Sequence, residues 1–340
     1  MPKHMLSPAR AHLRQALNAR LPVIAAPMFL VSSPPLVAAA CKAGIVGTFP
    51  TLNCRTTTQL DQWLTDIKAT LAQAPSAAKF GVNLIVHKTN PSLEAHLELV
   101  VKHKVPLVIT SLGAVKQVID AVHSYNGLVF HDVTNLRHAA KAVEAGVDGL
   151  IAVCAGAGGH AGPASPFALI PQLRANFPDK IIIAGGAISD GSTVRAAQTL
   201  GADLAYLGTR FIATKESMAQ DGYKNMLVTA KSGPAPAFLP TVYTDKISGV
   251  YANFLRDSLA QAGMDPDKLA QADAVEEDFS KLNANESKAW RDVWSAGHGV
   301  LNIHDVPTTQ QLVDRLAQEY QLAVQDEAGR LAQWTTSAKL

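Results

Sequence analysis

His160 is the residue of this 340-residue chain whose setting most directly suggests chemistry. It closes on glycines, in Ala157-Gly158-Gly159-His160-Ala161-Gly162, just after the apolar run from Gly149 to Cys154. Small residues after a strand-like run let a backbone come close to a flat or phosphorylated ligand, and the imidazole beside them can exchange a proton near neutral pH. Two other runs end in small or polar residues, at Ala184-Gly185-Gly186 and at Gly208-Thr209-Arg210. Bare backbone N–H groups converging at such endings suit a phosphate, and Asp190 to Thr193 offer an N-cap for a following helix. Asn83 stands inside an apolar run, where an amide needs a partner: it suits the edge of a heterocycle that both donates and accepts, or a satisfied core position. His131 and Asp132 end another run and read either as mouth groups or as a local hydrogen-bonded pair. His87, His96, His103 and His123 fall in loops or helices and are expected at the solvated surface.

These residues need a scaffold, and the chain has a regular one. Eight short apolar runs begin at Pro22, Gly44, Phe80, Pro106, Leu128, Gly149, Lys180 and Asp203, most of them followed by helix-like segments such as Thr56–Gln73 and Leu136–Ala145. Unbroken apolar runs are strands buried on both faces, which predicts a parallel sheet covered by helices. Eight such units predict a closed (β/α)8 TIM barrel, with an open doubly wound sheet as the alternative; no early Gly-x-Gly-x-x-Gly follows the first run. The connections Gly146-Val-Asp148 and Gly201-Ala-Asp203 repeat one helix-to-strand pattern. After Phe211 the rhythm breaks. Residues 1–211 and 301–340 are expected to form the barrel, closed by a helix over Pro307–Ala323. Residues 212–300, with helices near 217–231 and 249–262 and a charged stretch at 274–288, are expected to insert a mainly helical, substrate-side subdomain after strand eight.

Composition narrows the function classes. Hydrophobic residues make up 48% and charged ones 17%, which suits a large core. The net charge of +2, without a basic block, gives no case for nucleic acid. Cys41, Cys54 and Cys154 lack metal-ligand spacing and read as buried thiols of a reducing compartment. Neither a long apolar span nor a signal core is visible, so a cytoplasmic protein without a membrane partner is expected. Gly-x-Ser-x-Gly, His-Glu-x-x-His and Cys-x-x-Cys are absent.

Taken together, Ala26-Pro27-Met28, Phe80-Gly-Val-Asn83, Ala157-Gly-Gly-His-Ala-Gly162, Ile183-Ala-Gly-Gly186, Leu207-Gly-Thr-Arg-Phe211 and Trp294-Ser-Ala-Gly297 resemble the nitronate monooxygenase family. The resemblance runs from Pro22 to Ala323 and implies an FMN-dependent barrel that oxidises nitronates, or nitroalkanes, with O2 to a carbonyl compound and nitrite. It implies that Gly185, Gly186, Gly208 and Thr209 hold the FMN phosphate. Asn83, with the backbone near Ala26, Met28 and Gly158, would hold the ring, and Pro27, Gly159 and Leu207 would contact the cofactor. His160 would be the catalytic base.

The chain departs from that pattern in three places. Val153-Cys154-Ala155-Gly156 stands where many relatives have Gln-Gly-x-Glu, Asp132 where some have lysine, and His298 where Gln is common. The alternative enzyme is an NAD(P)H-dependent flavin oxidoreductase of quinone or enoyl reductase type. A flavin protein without catalysis and a flavin-free sugar-phosphate isomerase are the other readings. A homo-oligomer is expected from base rates alone.

Overall fold

The protein, seen in a computed structural model, is described over residues 7–233, 238–269 and 288–335. The strands are β1 (Val23–Ala25), β2 (Val46–Pro50), β3 (Phe80–Ile85), β4 (Leu107–Ser111), β5 (Leu128–Val133), β6 (Gly149–Val153), β7 (Gly159–His160), β8 (Ile181–Gly185) and β9 (Leu204–Leu207). All but β7 pair in parallel and close into a barrel in the order β1-β2-β3-β4-β5-β6-β8-β9. Each of the eight expected runs supplies one barrel strand.

The barrel interior is packed, not hollow. Ile24, Val46, Leu107, Ile109, Phe130, Ile151, Ile183 and Leu204 fill it. Leu13 and Leu17, on the short helix α2 (Leu13–Leu17) that follows α1 (Pro8–Ala11), join the same cluster. The Lys79 N–H, just before β3, bonds the Leu17 carbonyl at 2.8 Å, tying this arm to the barrel. Burying a leucine is worth about 2 kcal/mol, so this N-terminal arm contributes to the fold.

Outside the strands lie α3 (Pro34–Lys42), α4 (Thr57–Ala72), α5 (Leu93–His103), α6 (Lys116–His123), α7 (Leu136–Ala145), α8 (Pro166–Asn176) and α9 (Gly191–Thr199). Val37, Leu60, Leu64, Val100, Val118, Ile119 and Ala139 turn their apolar stripes onto the outer strand faces. The repeated Gly-x-Asp connection has a shared cause. Asp148 accepts the Val129 N–H at 2.8 Å and Asp203 accepts the Ile182 N–H at 2.9 Å, each stitching a strand to its predecessor. Asp203 also holds Arg10 and Arg174 at 2.9 and 2.6 Å.

Beyond β9 the chain forms α10 (Thr209–Ile212), α11 (Asp221–Val228), β10 (Thr241–Thr244), β11 (Ala252–Leu255), α12 (Arg256–Gln261) and α13 (Lys288–Arg291). The expected helix over 249–262 is therefore strand first and helix second. Ala252–Leu255 is wholly buried, pairs antiparallel with β10, and its other edge meets β7 with Ala252 opposite His160. Long-range pairing overrides a weak local pattern here. Among the described residues the segment thus adds two strands, β10 and β11, to its helices. The charged stretch at 274–288 lies, up to residue 287, outside the described residues.

The last helix, α14 (Thr309–Thr335), runs beyond its expected end at Ala323. Leu312, Val313 and Leu316 bury against Val194 and Leu207, which completes the helical layer. Among the described residues no helix is long and apolar enough to cross a membrane.

Candidate active site

The C-terminal strand ends open into a cavity of about 710 Å³, a volume suited to a small-molecule ligand or cofactor. Its walls are mostly apolar. The structure brings Ala26, Pro27, Met28, Asn83, Gly158, Gly159, His160, Gly185, Gly186, Gly208 and Thr209 to this one space. Ala26 to Met28 follow β1 as a loop instead of lying on it. Leu207 is the exception: its side chain is buried in the outer core with Leu312 and Leu316, and its carbonyl accepts the Ala26 N–H at 2.9 Å.

The glycine loops interlock. A Cβ on Gly158 would come within 2.6 Å of the Gly297 nitrogen and 2.8 Å of Thr209 Oγ1, so the place a side chain would take is already filled by protein. The Gly297 N–H donates to Thr209 Oγ1 at 2.9 Å. The Gly156 carbonyl receives both the Ala187 and His298 N–H groups, at 3.1 and 2.9 Å. Gly186 adopts φ +130°, which strains any other residue, and a Cβ there would sit 3.0 Å from the Ala155 carbonyl. His298 packs against Gly156, and burial lowers its pKa. It is a structural imidazole beside the loop, while its neighbours Gly297 and Gly299 line the cavity.

Asp190 caps α9 through a capping box, its carboxylate accepting the Thr193 N–H at 2.7 Å. That helix end is satisfied by its own anion. Any phosphate at this side of the cavity therefore has the backbone of the two glycine loops and the Thr209 and Ser189 hydroxyls to work with.

Across the cavity a polar chain links three strands. Asn83 donates from Nδ2 to Ser111 Oγ at 2.7 Å and to the Ile109 carbonyl at 3.2 Å. Ser111 donates its hydroxyl to Asp132 Oδ2 at 2.5 Å, while Asp132 Oδ1 is shut off from solvent and has no hydrogen-bond partner among the described residues. Burial raises the Asp132 carboxyl to about 6, against the opposing pull of Ser111. Tyr206, lining the same space, is raised well above its ordinary value by burial and by the Asp132 charge. His131 is not paired with Asp132. It bonds Thr110 Oγ1 at 2.7 Å, and burial depresses it to about 4.

His160 is held by β7 and faces the cavity with its ring edge-on to Trp290, centroids 5.4 Å apart. Burial alone lowers its pKa to about 4, below the near-neutral range its residue type suggests, so the imidazole is neutral at physiological pH, free to accept a proton but a weaker base than an exposed histidine. Two histidines expected at the surface are not there. His96 is buried against Thr51 Oγ1 at 3.0 Å, and His103 bonds Asp61 at 2.6 Å with its side chain 10% exposed. Ser111, Tyr206 and Trp290 also belong to the site, though no motif marks them; position at a strand end was the one available signal for the first two.

Several known proteins are similar to this chain. The family model described as nitronate monooxygenase matches residues 92–319, more than half of the chain. A nitronate monooxygenase from Paraburkholderia phytofirmans is 29% identical over 72% of this chain and 76% of its own length. A (3aS,4S,5R,7aS)-5-hydroxy-7a-methyl-1-oxo-octahydro-1H-indene-4-carboxyl-CoA dehydrogenase from Rhodococcus jostii is 26% identical, covering 91% of this chain and 83% of that protein. The fold is shared with the solved nitroalkane oxidase of Streptomyces ansochromogenes, with TM-score 0.75, 24% identity, and coverage of 92% and 99% of the two chains.

The buried carboxyl gives a test of the cavity electrostatics. With a folded pKa near 6 against 3.8, Asp132 favours folding least when ionised: its contribution falls as pH rises from about 4 to about 6, by roughly 3 kcal/mol, and stays low above. Thermal or denaturant melts of Asp132→Asn should match wild type near pH 4 and exceed it by up to about 3 kcal/mol at pH 7.5. A variant less stable than wild type at pH 7.5 contradicts the assignment.

Proposed function

The chain belongs to the nitronate monooxygenase family, a family of flavin-dependent oxidoreductases, and from that premise we propose that it uses FMN and O2 to oxidise alkyl nitronates, and nitroalkanes once deprotonated, to carbonyl compounds and nitrite. The observation that carries the reading is the placement of a neutral, cavity-facing His160 opposite glycine-rich strand ends in one apolar cavity of about 710 Å³.

The residues present fit a flat, phosphate-bearing cofactor. At Gly208 a Cβ would meet Met28 Sδ at 3.7 Å and Ala26 Cβ at 3.8 Å, ordinary contact distances on the cavity wall, and Gly185 and Gly186 end the neighbouring strand. Gly185, Gly186, Gly208 and Thr209 would hold the phosphate. Asn83, its amide nitrogen already committed to Ser111, leaves its oxygen for a ligand donor, with Ala26, Pro27, Met28, Gly158 and Gly159 around the ring. When bound, FMN would supply the acceptance of electrons from the substrate and their delivery to O2.

The protein's own work is proton handling and exclusion of water. His160 takes the α-proton of a neutral nitroalkane; a nitronate arrives without that proton, and the same imidazole then only positions it. Val250, Tyr223, Ser295 and Trp290, from the segment we read as the substrate-side insertion over 212–300, wall the space opposite the barrel. The Rhodococcus relative's name records a carboxyl-CoA dehydrogenase, and this favours a second reading in which the same base and flavin serve a larger acyl substrate.

Two variants test the proposal. His160→Asn should lower turnover of a neutral nitroalkane by about 10²-fold or more, the usual worth of a general base, and turnover of the matching nitronate far less. Equal losses on both substrates rule out the base assignment. In Gly186→Val the strained backbone should displace the phosphate loop, so the protein should purify with little flavin absorbance; a fully yellow variant counts against the phosphate site.

A further inference from the structure

A general base is usually oriented by a hydrogen bond from a third group to its second ring nitrogen. His160 has no such bond among the described residues, and no charged neighbour contributes to its depressed pKa. What fixes the ring must therefore be packing. We propose that Trp290 is the positioning residue for His160, holding the imidazole toward the cavity by an edge-to-face contact in the place where other sites use a carboxylate. The inference rests on His160 being the base.

Several observations support it. The two rings meet at 5.4 Å with an interplanar angle of 81°, the T-shaped arrangement that aromatic quadrupoles prefer. Trp290 is itself anchored, its centroid 5.1 Å from that of Phe254, a fully buried side chain of β11. Strand β11 is also the strand that pairs with β7, so the element that anchors Trp290 also holds the His160 backbone. Finally, Trp290 has φ +73°, a conformation that a bulky residue keeps only where its surroundings dictate it. The indole lies over the backbone of Gly159, where a Cβ would already be 3.7 Å from its ring, and it lines the cavity beside His160.

Trp290→Leu removes the ring and Trp290→Phe keeps one. With flavin content and melting temperature as controls, Trp290→Leu should lower kcat for a neutral nitroalkane roughly three- to tenfold, the range that a lost aromatic pair allows, with KM little changed. Nitronate turnover should stay within about twofold, and Trp290→Phe should recover most of the loss. Independently of any substrate, the ¹⁵N-labelled His160 side chain of the flavin-loaded protein should give one sharp signal in wild type and Trp290→Phe, and a shifted or split signal in Trp290→Leu. If Trp290→Leu loses flavin or melts early, Trp290→Met takes its place with the same expected signature. An unchanged His160 signal together with unchanged kcat overturns the proposal. A wild type inactive on nitroalkanes instead sinks the substrate reading, and the ring signal still decides the role of Trp290.

Discussion

The site depends on a backbone-to-backbone contact that no side chain could replace. Gly158 and Gly297 approach so closely that a Cβ on either would meet main-chain atoms at 2.5–2.6 Å, and Thr209 Oγ1 fastens the junction by accepting the Gly297 N–H. Four segments that are distant in sequence converge here: the loop after β6, the loop after β8, the end of β9 and the stretch before α14. The doubly accepting Gly156 carbonyl completes the junction. Close-packed interiors transmit strain instead of absorbing it, so the positions of His160, Gly186 and Thr209 are set together.

With that frame fixed, the cavity's chemistry follows from burial. An apolar enclosure penalises charge, and it does so in opposite directions on the two titratable groups that matter. His160 is kept neutral, with its pKa lowered to about 4, and Asp132 is pushed up to about 6. Two cationic side chains border the cavity: Arg210, whose guanidinium bonds Asp305 at 2.8 Å, and Lys141, which is exposed. A substrate or cofactor bringing a negative group meets backbone N–H and hydroxyl donors more than cationic side chains. The acid at position 132, where a lysine would add a positive charge, makes this cavity poorer in positive potential.

The barrel was legible because its signal is redundant. Each strand is buried on both faces, so its run of apolar residues stands out, and the eight runs reinforce one another. The glycine and histidine positions were legible for a similar reason, since several small-residue endings at strand termini point to one mouth. What escaped depends on contacts without local periodicity. Ala252–Leu255 is a strand because β7 and β10 flank it, and nothing within those four residues says so. His96 is buried because α5 turns it toward Thr51, a fact of helix rotation and neighbour shape. Trp290 reaches His160 across 130 positions of sequence, a distance no motif spans. Gly158 is a place of close approach, and the approaching backbone is the protein's own, at Gly297.

The central claim is that this cavity carries a flavin that takes electrons from a nitronate. The most direct measurement is an anaerobic absorbance titration of the purified protein, first with NADPH and then with propionate 3-nitronate. The account predicts a flavin spectrum that NADPH leaves essentially oxidised and that the nitronate bleaches within the time of turnover. Rapid bleaching by NADPH with none by the nitronate, or a protein without flavin absorbance, would contradict it.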